Sequence, residues 1–324
     1  MITRRDALIA LASSLTLPRY AFSQEKIRRI AWFGAGRAGA PSPFFAALQA
    51  GFRELNWHEG RNLAISLHLT EGTPEEADRA ARQILTSNPE LILTYGRDVF
   101  SVHKLQSQIP VVFGFSGDPI DAGFVQSYAR PGGNMTGISL MSLELAGKRI
   151  ELLKEFVPNL RRMGVLTRLE HPGEPRERAA SEEFARKAGL TLVYAPVRTA
   201  ADLDGAFRTI AEQRCDSLLV FPDGVMVANA ARIAQFAVER RIAAVSGWAT
   251  FAENGFLLSY GPNLSDSYKD LARFADRILR GTRPADLPVE LPRTVELVIN
   301  NRTARTLGIK IPPSIALRTD RVFE

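Results

Sequence analysis

Three observations predict an α/β chain built as two doubly wound parallel-sheet domains, Rossmann-like, joined by a multi-strand hinge. Short β-branched runs alternate with amphipathic stretches of helical period from residue 27 to residue 260. The alternation runs twice: Asn88-Pro89-Glu90-Leu91-Ile92-Leu93 and Arg214-Cys215-Asp216-Ser217-Leu218-Leu219 fall at equivalent places in two halves. The length of 324 residues exceeds one ordinary core. With 45% hydrophobic and 23% charged residues the chain is ordinary globular material, which excludes disordered, collagenous and coiled-coil classes. Strands separated by helices run parallel, because each crossover helix covers a face of the sheet.

The first element is an address. Thr3-Arg4-Arg5-Asp6 precede an uncharged run over 7–17, far short of the roughly 20 residues that span a bilayer as a helix. Ala21-Phe22-Ser23 has the small residues of a cleavage site, so residues 1–23 are expected to be an export signal cut before Gln24. The paired arginines suggest the twin-arginine route. No cysteine follows the apolar run, so a lipid anchor there is excluded, and the expected product is a soluble, exported, periplasmic chain with no membrane insertion.

The first run reads strand 27–33, helix 44–55 with Phe45, Leu48, Phe52 and Leu55 on one stripe, and strand 63–69. Helix 74–85 follows, with Thr73 as N-cap, Pro74 at its first position and Glu76 closing a capping box. Strand 91–95, a helix near 99–105 and strand 110–113 complete it. A boundary is expected near 135–143, after the turn-rich Arg130-Pro131-Gly132-Gly133-Asn134. The second run reads strand 163–167, helix 175–188, strand 190–195, helix 201–213, strand 216–221, helix 225–240, and strands 243–246 and 256–260. A helix over 266–280, the prolines 284, 288 and 292, and a strand over 294–299 exceed what a second domain needs. The chain is therefore expected to cross back: residues 24–138 plus about 261–288 form one lobe, and 139–260 plus about 289–324 the other.

Ligands of such sheets bind outside the carboxyl ends of the strands. The candidates there are Gly36, Arg37, Tyr95, Gly96, Arg97, Ser116, Asp118, Ser139, Arg168, Asp223, Trp248 and Tyr260. Rings would stack on a flat ligand, arginines or backbone N–H groups would hold an acid group, and an aspartate would hold an amine. Any one of them also suits a cap or a turn. Gly34-Ala35-Gly36-Arg37-Ala38-Gly39 matches the dinucleotide fingerprint, but Pro41 and Pro43 follow it and the second strand ends without the acid that would hold a ribose. A Gly-rich loop lining a cleft is the better fit. There is no P-loop, H-E-x-x-H or G-x-S-x-G, and His58, His68, His103 and His171 lack paired spacing. Asp118 and Asp223 could do acid–base work, yet nothing places them on one substrate atom. No catalytic residue, metal or cofactor is expected. The formal charge of +6 is interspersed, without a Lys/Arg block among aromatics, so no nucleic-acid partner is expected. The single cysteine, Cys215, reads as a buried, inert thiol.

The chain resembles the substrate-binding proteins of ABC transporters that are similar to type I periplasmic binding proteins. The resemblance rests on 51–62 (Gly-Phe-Arg-Glu-Leu-Asn-Trp-His-Glu-Gly-Arg-Asn), Asp118-Pro119, 129–137, 147–154, Ser259-Tyr260-Gly261, 278–281, 286–290 and 296–300. It implies a monomeric cleft binder that closes about a hinge on a small molecule and delivers it to an ABC permease and its ATPase. Some members resemble tryptophan- or other aromatic-amino-acid-binding proteins. Where those usually have Gly-Thr after the third strand this chain has Gly96-Arg97, and where an Asn is usual it has Arg168. With Arg37 nearby, these cations suit a carboxylate-bearing, aromatic ligand, with Trp248, Tyr95 and Tyr260 as stacking candidates; alternatively Arg97 and Arg168 face solvent or bind an aspartate. The competing functions are a ligand-loaded sensor docking on a membrane receptor and a nucleotide-cofactor oxidoreductase.

Overall fold

The computed structural model of the chain describes residues 26–35, 43–70, 74–140 and 143–324. The export signal, Gly36, Arg37 and Thr73 lie outside the described residues. The first sheet has the order β2-β1-β3-β4-β5, all parallel, from β1 (Arg28–Ala35), β2 (Leu63–Thr70), β3 (Leu91–Tyr95), β4 (Val111–Phe115) and β5 (Met135–Ser139). Successive strand residues face opposite sides. Ile30 and Trp32 accordingly enter the core under α1 (Pro43–Glu54), while Ala31 and Phe33 enter the one under α2 (Pro74–Thr86) and α3 (Asp98–Lys104). The run 135–139, expected as a boundary, is the fifth strand of this sheet; the 116–134 segment leading to it contains no helix.

The second sheet has the order β12-β11-β10-β9-β8-β6-β7. Its strands are β6 (Arg162–Thr167), β7 (Thr191–Pro196), β8 (Ser217–Val220), β9 (Ala243–Ser246), β10 (Leu258–Pro262), β11 (Val295–Asn300) and β12 (Arg321–Phe323). One face is covered by α4 (Leu143–Phe156) and α5 (Glu174–Ala188), through Ile150, Leu153 and Ala185. The other is covered by α6 (Leu203–Glu212), α8 (Ala230–Glu239) and α9 (Ala249–Glu253), through Leu203, Ile210, Ile233 and Phe251. Cys215 is buried, and burial raises its thiol to about 11, which makes it inert.

The expected helix over 225–240 is two helices, α7 (Gly224–Ala228) and α8, broken at Asn229, whose side-chain amide donates to the Val225 carbonyl at 2.8 Å. The second sheet also departs from the all-parallel expectation: β11 is antiparallel to β10. The cause is topological. Strand β10 ends at the carboxyl edge, and the chain then leaves as α10 (Leu264–Leu279), which packs against α1 of the first lobe. Residues 287–290 next run beside β5, where Ser139 N–H donates to the Glu290 carbonyl at 3.0 Å and Glu290 N–H to that of Gly137 at 3.0 Å. The chain thus re-enters the second sheet from the edge by which it left, and β11 must run the other way. Three connections join the lobes, one between β5 and α4, one near 262–263 and one near 291–294. The last two are tied by Asn263 N–H donating to the Thr294 carbonyl at 2.9 Å. Helices α11 (Asn301–Leu307) and α12 (Pro313–Ala316), α9 and β12 went unread in the sequence because each is seven residues or shorter.

Gly51 is where α1 meets α10. A Cβ there would lie 2.8 Å from the Lys269 carbonyl oxygen and 3.0 Å from Ala272 Cβ. Gly51→Ala tests this contact, since Ala is favoured by about 1 kcal/mol inside a helix while overpacking costs about 1–3 kcal/mol. The contact is to backbone, so the clash should win and urea unfolding should give a net loss of stability. A gain would show that the two helices are not locked together.

Candidate functional site

Each sheet has one place where consecutive crossovers leave in opposite directions, the position at which open α/β sheets bind ligands. In the first sheet it lies between β1 and β3, in the second between β6 and β8. Gly96 and Arg97 follow β3; Arg168 follows β6, and Asp223 follows β8 as N-cap of α7. The two carboxyl edges face one another, as the contacts between them show. The loop after β4 meets the loop after β6: Ser116 Oγ is 2.7 Å from His171 Nε2. Arg176 of α5 pairs with Asp118 at 2.9 Å and also with Asp121. A Cβ on Gly117 would lie 2.9 Å from Pro172 Cβ, so glycine permits this approach.

The His171 tautomer follows from its partners. Gly173 N–H donates to Nδ1 at 3.2 Å, so Nδ1 is the acceptor and Nε2–H donates to Ser116. Burial lowers the His171 pKa, with neighbouring Arg168 acting in the same direction and Asp223 and Glu174 opposing it. The imidazole is neutral, as the double contact requires.

Arg168 Nη1 pairs with Asp223 Oδ2 at 3.2 Å, while Asp223 Oδ1 accepts from Val225 N–H at 2.7 Å. The Arg168 Nε is buried without a hydrogen-bond partner, with Glu170 Oε2 3.9 Å away. Arg97 is the N-cap of α3, where its carbonyl accepts from Phe100 N–H at 3.1 Å; its side chain forms no hydrogen bond or ion pair among the described residues. Trp248, the N-cap of α9, is half-buried and packs against the cores of both lobes. Beneath these groups is a buried pair: Arg149 Nη1 meets Glu177 Oε1 at 2.5 Å and Arg149 Nε donates to the Tyr260 carbonyl at 2.9 Å. A Cβ on Gly247 would fall 2.7 Å from Arg149 Nη2. Arg149 thus ties strand β10, which carries Tyr260, to the loop that carries Trp248. Burial raises the Glu177 carboxyl, opposed by the adjoining guanidinium.

The candidates named from sequence are dispersed in role. Arg97, Arg168, Asp223 and Trp248 lie on the opposed edges, and Ser116 and Asp118 join the lobes there. Gly96 has a left-handed φ of 62° with open space above its Cα. The Tyr95 ring lies over Gly34 in a cluster with Trp32 and Tyr268, at 5.1 and 5.8 Å between centroids, and burial raises its phenol. Tyr260 is half-buried against the second core. Ser139 is fully buried, accepting from Tyr128 Oη at 3.2 Å, which makes it a structural residue of β5. His171, Arg176, Arg149 and Glu177 were missed. His171 lies three residues past Arg168, and Arg149 lies inside the 147–154 motif, so position carried a signal that residue type did not.

Two concavities, of about 290 and 330 Å³, lie away from these edges. The first is at the amino ends of β4 and β5, lined largely by loop 123–134. The second lies between α1 and α10, where Lys269, Arg273 and Arg293 pair with Glu54, Asp270 and Glu290. Neither holds a switch point. Among the described residues, no group of three or more His, Cys, Asp or Glu side chains could hold a metal, and no helix is long and apolar enough to cross a membrane.

Two sheets with opposed carboxyl edges, polar anchors on both and three connecting segments define a two-lobed α/β protein of the type I periplasmic binding fold. The chain belongs to the family described as ABC transporter substrate binding protein, which matches residues 44–323. It is a family of substrate-binding proteins rather than enzymes. The chain is 22% identical over 273 residues to the tyrosine-binding protein of Clostridioides difficile, covering 84% of this chain and 77% of that one. It superposes with a TM-score of 0.84 on an ABC domain from Streptococcus pneumoniae in complex with L-Trp, at 22% identity over 92% of this chain and 100% of that one. Against the ligand-free, open structure of a substrate binding protein with adhesive properties from Clostridium difficile, the TM-score is 0.68, at 21% identity over 92% and 99%.

Removing one partner of a buried ion pair costs about 3–5 kcal/mol. Arg149→Met leaves burial and the neighbouring Glu174 carboxylate acting on Glu177, both raising its carboxyl above its ordinary value. A carboxyl that holds its proton more tightly when folded loses stability as pH rises through the window above the unfolded value. Urea unfolding should therefore show a larger deficit for Arg149→Met at pH 8 than at pH 5. An equal deficit at both would remove Glu177 from the account.

Proposed function

We propose that this chain is the exported, monomeric binding component of an ABC importer, capturing a small aromatic carboxylate or amino-acid-like ligand between its lobes and presenting it to a permease and its ATPase. The closing bodies in this reading are residues 24–138 with about 261–288, and 139–260 with about 289–324. The observation that carries it is the pairing of opposed switch points, with Arg97 on one and Arg168 on the other, beside a Trp248 that touches both cores. The better superposition on the L-Trp complex, 0.84 against 0.68 for the open form, supports a closed arrangement of the lobes. Relatives named for tyrosine and L-Trp support an aromatic side chain on the ligand.

Closure follows from differential affinity: a ligand that touches both edges binds the closed form more tightly and shifts the population. Thermal denaturation with L-tyrosine, L-tryptophan and their desamino acids tests the site. At 100 times its dissociation constant a ligand adds about 2.7 kcal/mol, a rise in Tm of roughly 2–4 °C. Small-angle scattering should report compaction with the same compound, and mass spectrometry should recover it unaltered. Chemical turnover, or no shift with any aromatic acid, would sink the proposal.

The contact between Ser116 and His171 makes closure sensitive to acid. In the closed form burial lowers the imidazole pKa and holds it neutral; opening would give the ring back to water, so that it takes up a proton more readily. Closure is therefore weakened by acid, being lost as pH falls through the titration of the opened imidazole, by up to about tenfold in affinity per unit. Titrations from pH 7.5 to 5.5 should show this weakening, and His171→Gln should flatten it. A slope unchanged in the variant assigns the titration elsewhere.

A further inference from the structure

Resting on the reading of the gap as an aromatic-carboxylate site, we infer that the ligand of this chain carries a carboxylate and an aromatic ring but no α-ammonium group. The distinction lies in which charges at the opposed edges are already neutralised. An ammonium taken out of water needs an acidic side chain or a set of carbonyls to replace its hydration, and goes unbound without them. Among the described residues, the acids that project from these edges are committed. Asp223 is paired with Arg168 and caps α7. Asp118 is paired with Arg176 and accepts from Ile120 N–H at 2.8 Å. Glu170 meets Arg198 at 3.2 Å, and Asp98, buried at the start of α3, is not without a partner.

The cations are not balanced in the same way. Arg168 spends one N–H on Asp223 while its buried Nε–H has no hydrogen-bond partner. Arg97 on the facing edge forms no ion pair among the described residues. A buried guanidinium N–H left unsatisfied is costly, and a carboxylate oxygen relieves it with a charge-assisted bond. A zwitterion offers one charge of each sign; among the described residues these edges have donors to spare for the negative one and no uncommitted acid for the positive one. Trp248, half-buried between both cores, supplies the aromatic surface.

Calorimetric titration of the chain with matched pairs tests this: L-tyrosine against 3-(4-hydroxyphenyl)propanoate, and L-tryptophan against indole-3-propanoate. The desamino member of at least one pair should bind about tenfold or more tightly than its amino acid. Arg168→Met should lose about tenfold in affinity for that propanoate. Asp223→Asn, which keeps a side-chain oxygen for the α7 cap and frees the guanidinium, should gain about threefold. Circular dichroism verifies the fold of both variants, and the comparison of ligands on the unmodified chain needs neither. Amino acids binding as tightly as their desamino partners, or Asp223→Asn abolishing binding, overturn the inference while leaving the aromatic site standing. Failure of every compound to bind overturns the site and the inference together.

Discussion

A parallel strand ends where its crossover begins, and this constraint places the loops with conformational freedom at the carboxyl edge of each sheet. Everything else about this molecule depends on two such edges facing each other. Opposed edges require that the lobes be held by more than one segment, and the excursion of α10 and residues 287–290 into the first lobe provides three. The same excursion explains the one irregularity of the second sheet, the antiparallel β11, because a chain that leaves and re-enters by one edge cannot enter in the parallel sense.

The charged groups between the lobes divide into two kinds. Arg149 and Glu177 are buried and fully engaged, and such a pair contributes little net stability over well-packed apolar residues. What it supplies is position: one guanidinium holds the Tyr260 carbonyl and lies against Gly247, so strand β10 and the loop bearing Trp248 keep a fixed relation. Arg168 and Arg97 are of the other kind, with donors left over. Asp118 and Arg176 stand between the two kinds: they join the lobes at a rim where solvent screens them, so their geometric role exceeds their energetic one.

Legibility followed the range of the interaction. The apolar stripe of Phe45, Leu48 and Phe52 and the β-branched runs were readable because burial on one face imposes a period on neighbouring residues. The short helices α9, α11 and α12 imposed no readable period. The split at Asn229 was hidden because an asparagine inside an apolar stretch reads as helix until its amide is seen on the Val225 carbonyl. Of the site, the strand-end arginines and Trp248 stood out by position and type. Tyr95 is a stacking candidate from sequence, yet its ring packs with Trp32 and with Tyr268 of α10, 173 residues later in the chain, and sequence carries no trace of that contact.

By itself the sequence determined the class of fold, the order of nearly all strands and helices, and the family, because these rest on local periodicity and on short motifs that survive in one dimension. Only the tertiary structure decided the direction of β11, the pairing of Arg168 with Asp223, the tautomer of His171 and the burial of Ser139. Each depends on groups brought together from distant parts of the chain, where a difference of one contact decides whether a charge is spent within the protein or left for a ligand.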